Sequence, residues 1–182
     1  MSVKESGSGN TDHRIRPVAR ILTDFPTKFG IPRQSGLTGE LESRIVFEPE
    51  LSNPDAVRGI EEFSHLWLIW EFSENVRDPK KWSPTVRPPR LGGNTRVGVF
   101  ATRSSFRPNS LGLSVVRLKA VETGENGMPV LVVTGADMMD GTPVFDIKPY
   151  IPFADSHPEA KGGFTDQTKE YGLDVRIPEE FL

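Results

Sequence analysis

Residues 87–110, RPPRLGGNTRVGVFATRSSFRPNS, carry Arg87, Arg90, Arg96, Arg103 and Arg107 and not one acidic residue. Extended back to Arg77, the stretch gains Lys80 and Lys81 against Asp78 alone, in a 182-residue chain of formal net charge -3. A local cationic field inside an acidic protein is the footprint of a phosphate-bearing or otherwise anionic partner. Three more loops hold polar groups that could work together. Residues 30–36 (GIPRQSG) place Arg33 and Gln34 between glycine and proline, and Ser73 and Glu74 follow an apolar run. Residues 137–143 (DMMDGTP) form a tight turn whose amides and Asp140 can grip hydroxyls or an ammonium group. Within the arginine stretch, Arg107, Asn109 and Ser110 cluster about Pro108. These loops supply donors, acceptors and carboxylates but no activated nucleophile. Such a set binds and orients ligands; it does not attack them.

Several chemistries are excluded. Cysteine is absent, which removes disulfides, thiolate nucleophiles, zinc ribbons and iron–sulfur ligation. His13, His65 and His157 stand far apart with no metal-ligand spacing, so no metal is expected. His65, inside an apolar run, reads as a hydrogen-bonded structural residue. Gly92, Gly93 and Gly98 lack the dinucleotide-binding spacing, and no Walker A, HExxH or GxSxG motif is present. No run approaches the roughly eighteen apolar residues of a membrane span. The opening MSVKESGSGNTDHR has no apolar signal core, so a cytoplasmic location with no membrane partner is expected.

The elements that must position these loops are short. Residues 16–24 and 40–47 alternate as strands. Asn53 can cap and Pro54 suits a first helical position, which predicts a short helix over 54–63 with Val57, Ile60 and Phe63 at helical spacing. Residues 65–72 (HLWLIWEF) read as a strand covered on both faces. A long polar connection, 73–96, follows and is functional by its length. Further strands are expected over 97–102, 113–121, 130–134 and 142–148, with a hairpin turn at 122–127 (ETGENG). Seventeen glycines and sixteen prolines favour turns over long helices. The expected fold is all-β and mainly antiparallel: a small single-sheeted β-barrel of about seven strands with one short helix and long functional loops.

The ends read differently. Residues 1–15 are expected to be a disordered leader, and 16–156 the single domain. Residues 157–182 are expected to be an irregular extension with one more strand over 171–177. The final IPEEFL has the Pro178 and acidic opening of a helix, the start of a C-terminal region cut short.

FSHLWLIWEF, VRPPRLGGNTRVGVFATRSSFRPNSLGLS and DMMDGTPVFDIKPYIPFADS together resemble the TsaA-like, or TrmO, family over residues 17–156. The resemblance implies a β-barrel, usually homodimeric, that binds S-adenosylmethionine. It implies methylation of the exocyclic N6 of threonylcarbamoyladenosine at position 37, in the tRNA anticodon loop. Cofactor contacts carried over fall on Pro32, Arg33, Gln34, Ser73, Glu74, Arg103, Leu113, Asp140, Gly141, Thr142 and Pro143. In that reading Glu74 or Asp140 binds ribose hydroxyls or the amino group, Leu113 packs on adenine and Arg103 meets the cofactor carboxylate. Arg87, Arg90, Arg96 and Arg107 meet anticodon-loop phosphates or the substrate's threonyl carboxylate, with Trp82 and Phe106 as stacking candidates.

The attacking nitrogen of such a substrate belongs to a urea-like group, weakly nucleophilic until its proton leaves, so a general base or a polarising donor is expected. Asp146, Lys148 and Tyr150 of DIKPY are the catalytic candidates, alternate positions that share one side of a strand. Two rival functions use the same features: a non-catalytic S-adenosylmethionine-binding module, and a methyltransferase acting on an anionic small molecule. Methyl incorporation into tRNA separates the first from the family reaction, and competition by bulk tRNA separates the second.

Overall fold

The computed structural model describes residues 13–37, 41–75, 82–124 and 127–166. Eight strands appear in chain order: β1 (Ala19–Leu22), β2 (Glu42–Phe47), β3 (His65–Glu71), β4 (Thr85–Val86), β5 (Val97–Gly98), β6 (Leu111–Thr123), β7 (Pro129–Thr134) and β8 (Thr142–Pro149). Six of them close into an antiparallel barrel in the order β1-β2-β7-β6-β3-β8, with β8 returning to pair with β1. The expected all-β antiparallel barrel is therefore the architecture observed, with six barrel strands and a separate β4-β5 ribbon in place of about seven strands.

Alternation along each strand builds the core. Ile21, Ile45, Leu66, Leu68, Val116, Leu131, Val133 and Val144 point inward and are wholly buried. Each such side chain contributes about 1.5–3 kcal/mol of burial. Register shifts between Leu118 and Ala120 on β6, and between Ile69 and Trp70 on β3, mark irregularities of the bulge type. Extra residues of this kind increase local twist, which a barrel this small needs to close.

Three local expectations are corrected. The helix over 54–63 is two 3₁₀ turns, Pro54–Val57 and Ile60–Glu62, separated by Gly59 at φ 81°. The capping signal was sound, since Asn53 Oδ1 accepts from the Asp55 amide at 2.9 Å. The left-handed glycine ends the turn before an α-helix can propagate. The one α-helix among the described residues, α1 (Pro152–Asp155), lies where none was expected. Residues 97–102 are not one strand, because Val99–Ala101 coil into a 3₁₀ turn after β5. The apolar run of β3 is not covered equally on both faces: Leu66, Leu68 and Trp70 are buried, while Trp67 and Ile69 are half-buried on the outside. The hairpin between β6 and β7 is present, with Thr123 opposite Pro129; its residues 125–126 lie outside the described set. The leader up to residue 12, the strand over 171–177 and the helical opening at Pro178 also lie outside the described residues.

α1 docks on the outer face of β3. The Asp155 carboxylate accepts from the Ile151 amide at 2.8 Å and from Trp67 Nε1 at 3.0 Å. The Ile151 amide, then the indole, hold this carboxyl below its ordinary value. A lowered carboxyl contributes stability above its unfolded value and loses it as pH falls through the folded one. Trp67 fluorescence is expected to change on acidification through that window, and an Asp155→Ala variant should show no such step.

Candidate functional site

Two cavities open beside the barrel and share a wall. The smaller, about 470 Å³, is formed by the β1–β2 connection, the end of β3 and the turn after it, the loop entering β6, and the β7–β8 turn. Its volume lies in the range of small-molecule sites, roughly 300–1,000 Å³. The larger, about 820 Å³, is formed by the β4-β5 ribbon and residues 102–108, with Phe164 folding back from beyond the expected domain boundary. Arg33, Gln34, Arg103 and Arg107 line both.

The cofactor candidates divide by place. Pro32, Arg33, Gln34, Ser73, Glu74, Arg103, Leu113 and Thr142 all line the smaller cavity. Arg103 Nη1 donates to Gln34 Oε1 at 2.6 Å, and Gln34 Nε2 donates to the Arg33 carbonyl at 2.6 Å, so two separate loops meet at the shared wall. Leu113 is 56% exposed, an apolar platform left uncovered at the cavity. Asp140, Gly141 and Pro143 are not among its lining residues. They anchor the turn instead: Asp140 Oδ1 accepts from the Thr23 amide at 3.0 Å, and the Gly141 amide donates to the Ile21 carbonyl at 2.9 Å. Pro143 lies in β8, opposite Arg20. This pinning sets Thr142 and the preceding residues 137–139 at the cavity.

Arg87, Arg90, Arg96 and Arg107 converge on the larger cavity, whose lining includes no carboxylate among the described residues. Local structure explains the convergence. β4 and β5 pair through Thr85–Gly98 and Val86–Val97, and Pro89–Leu91 turn tightly into Gly92 at φ 74°. Arg87, Arg90 and Arg96 are thereby carried around one rim. Arg96 Nη1 donates to Thr85 Oγ1 at 3.3 Å, and Arg107 Nη1 to the Thr102 carbonyl at 2.7 Å. Trp82 and Phe106, 41% and 44% exposed, line the same cavity. A cationic hollow edged by accessible aromatics suits an unstacked nucleotide.

Asp146, Lys148 and Tyr150 line neither cavity. Asp146 and Lys148 share one side of β8, as alternation requires, and pair with each other at 3.0 Å. They lie opposite Ile69 and Trp67, on the outer side of the barrel. The Tyr150 ring packs 5.9 Å from Trp67 and 6.3 Å from His65. His65 Nδ1 in turn lies 2.9 Å from Ser64 Oγ, a structural contact.

Asp137 was missed. It lines the smaller cavity, half-buried, and accepts from Ser114 Oγ at 2.6 Å. Ser114 Oγ accepts in turn from Trp70 Nε1 at 3.0 Å. Burial pushes the Asp137 carboxyl above its ordinary value, against the pull of the Ser114 hydroxyl, the backbone amides of Asp137 and Ser35, and the Arg103 charge.

The tRNA-methyltransferase O N-terminal domain model matches residues 20–156. A tRNA (adenine(37)-N6)-methyltransferase of Escherichia coli (strain K12) is 47% identical over 151 residues, which are 83% of this chain and 63% of that protein. A putative S-adenosylmethionine-dependent methyltransferase RcsF of Pseudomonas aeruginosa is 46% identical over 154 residues, 85% of this chain and 61% of that one. The crystal structure of TrmO from P. aeruginosa superimposes with a TM-score of 0.69 at 36% identity, covering 88% of this chain and 64% of that one. The chain thus spans less than two thirds of the length of these relatives.

Proposed function

From the premise that the chain belongs to the tRNA-methyltransferase O N-terminal domain family, we propose that it is an S-adenosylmethionine-dependent tRNA (adenine-N6)-methyltransferase. Its substrate in this reading is the threonylcarbamoyladenosine at position 37, presented by the anticodon loop. The observation that carries the reading is the junction of two unlike cavities at Arg103 and Gln34. One cavity mixes cations, carboxylates and apolar surface; the other is cationic and, among the described residues, lined by no carboxylate.

The donor set of the smaller cavity fits S-adenosylmethionine. Arg33 and Arg103 offer guanidinium forks to the methionyl carboxylate, where a planar two-point contact outperforms an ammonium. Glu74 and Ser73 offer acceptors to ribose hydroxyls or the amino group, and Leu113 offers a face to adenine. Pro32, Gln34 and Thr142 shape the wall, while Asp140, Gly141 and Pro143 hold the turn that places Thr142. The bound cofactor supplies a methyl group on a sulfonium, a carbon already activated for in-line displacement. The protein then has to hold donor and acceptor about 3–3.5 Å apart and aligned.

In the larger cavity, Arg87, Arg90, Arg96 and Arg107 meet anticodon-loop phosphates and the threonyl carboxylate, and Trp82 and Phe106 stack on displaced bases. A homodimer in the cytoplasm completes the proposal. The direct test is to incubate the chain with methyl-labelled cofactor and modified or unmodified tRNA, then locate the label. Label on N6 of the modified adenosine is the expected result; bound cofactor without transfer would leave a binding module. Arg90→Ala should weaken tRNA binding and reduce the slope of log affinity against log salt by about one, with cofactor affinity retained.

A further inference from the structure

Among the described residues, three carboxylates line the smaller cavity, and they differ in how they are held. Glu74 is exposed, and Glu71 ends β3 half-buried. Asp137 alone of the three is tied into the barrel interior. Trp70 Nε1 donates to Ser114 Oγ at 3.0 Å, so one lone pair of that hydroxyl is taken. Its proton is directed to Asp137 Oδ1 at 2.6 Å. A carboxylate held by a buried serine and a buried tryptophan keeps one orientation without spending the ligand's binding energy on ordering it. It also stands near the shared wall, beside the Ser35 amide next to Gln34 and within the field of Arg103.

Resting on the functional reading above, we propose that Asp137 is the proton acceptor of the reaction, a catalytic residue held in place by Ser114 and Trp70. As the acceptor nitrogen forms its bond to the methyl carbon, its proton passes to the Asp137 carboxylate. The electron pair of the breaking carbon–sulfur bond stays on sulfur. Carboxylate and sulfonium become carboxylic acid and thioether, so atoms and charge balance. Burial that raises the carboxyl makes it a stronger base than an exposed aspartate. Asp146, Lys148 and Tyr150 keep structural roles.

The charged groups that share the cavity with Asp137 are Lys28 and Arg33 from the β1–β2 connection, Glu71 and Glu74 from β3 and its turn, and Arg103 and Arg107 from the loop entering β6. Ser114 lowers the carboxyl's value, so Ser114→Ala raises it further. The acid limb of the transfer rate must then move to higher pH, and the Asp137 side-chain carbon followed by NMR must titrate in the same direction. Linkage adds a second signature. A carboxyl raised by folding favours the folded state below its unfolded value, and that advantage is lost as pH rises through the folded value. A neutral amide at 137 therefore raises the melting temperature at neutral pH and not in acid.

The experiment compares the 182-residue chain with Asp137→Asn and Ser114→Ala for labelled methyl transfer, cofactor affinity by calorimetry and melting temperature against pH. Asp137→Asn is expected to cut transfer by about 10²–10⁴-fold, to keep cofactor affinity within about threefold, and to melt higher at neutral pH. Transfer within about threefold of the parent, or a loss of cofactor affinity that accounts for the loss of transfer, overturns the assignment. An unmoved acid limb in Ser114→Ala overturns it too. A parent chain that binds cofactor and methylates no modified tRNA sinks the functional reading and this inference with it; an active Asp137→Asn sinks the inference alone.

Discussion

An Arg103→Ala variant should bind S-adenosylmethionine roughly 10–100-fold more weakly than the parent while remaining folded. Arg103 is exposed, so its removal leaves no buried cavity. It is, however, one of three arginines that line both hollows, and it ties two of their loops together through its hydrogen bond of 2.6 Å to Gln34 Oε1. A charge-assisted contact to a carboxylate is worth about 1.5–3 kcal/mol, which converts to the stated range. Loss of the Gln34 tether adds loop freedom that binding must then remove. The same change takes away a positive charge that lowers the Asp137 carboxyl, so the acid limb of any transfer rate should also move up in pH. Calorimetric titration with the cofactor measures the first effect directly. Unchanged affinity would remove Arg103 from the cofactor site and leave it with the cationic cavity alone.

Gly112→Ala should destabilise the fold by about 3 kcal/mol, with a fall in melting temperature on the order of 10 °C. The sign is opposite to ordinary expectation. In a strand with unexceptional backbone angles, alanine for glycine reduces unfolded-state freedom and stabilises slightly. At 112, however, a Cβ would lie 2.6 Å from Cδ2 of the Trp70 indole, with other ring atoms closer still. Trp70 and Gly112 are directly opposite each other across β3 and β6, and the indole lies over the glycine. A rigid ring cannot yield as a flexible side chain would. Displacing it also breaks its bond to Ser114, leaving a buried N–H unpaired at about 1–3 kcal/mol. A Trp70→Phe, Gly112→Ala pair should therefore be less unstable than the sum of its single changes, a coupling that thermal unfolding of all four proteins would measure. Strict additivity would show that the indole is not what excludes a side chain there.

Much of the barrel was legible because strand alternation is a local signal. Ile21 and Ile45, and later Val144, recur at the period that buries one face of a sheet, and chain length plus turn composition leave few other architectures. The helix over 54–63 misled because capping is also local, whereas the break at Gly59 depends on a left-handed backbone that the residue permits but does not require. The loops were recognisable as sites by their residue types. Their division between two cavities was not.

The arginine count, the missing nucleophile and the alternating strands follow from residue order alone, since composition and period two need no long-range contact to be read. What tertiary structure decided is which residues of each loop face inward. Asp140 and Asp137 stand three residues apart in one turn, yet Asp140 caps the end of β1 while Asp137 lines the cavity and accepts from the buried Ser114. Likewise DIKPY keeps its expected side, but barrel closure turns that side away from the cavities. A side chain's neighbours are set by strand pairings many residues distant, and those pairings exist only once the sheet has closed.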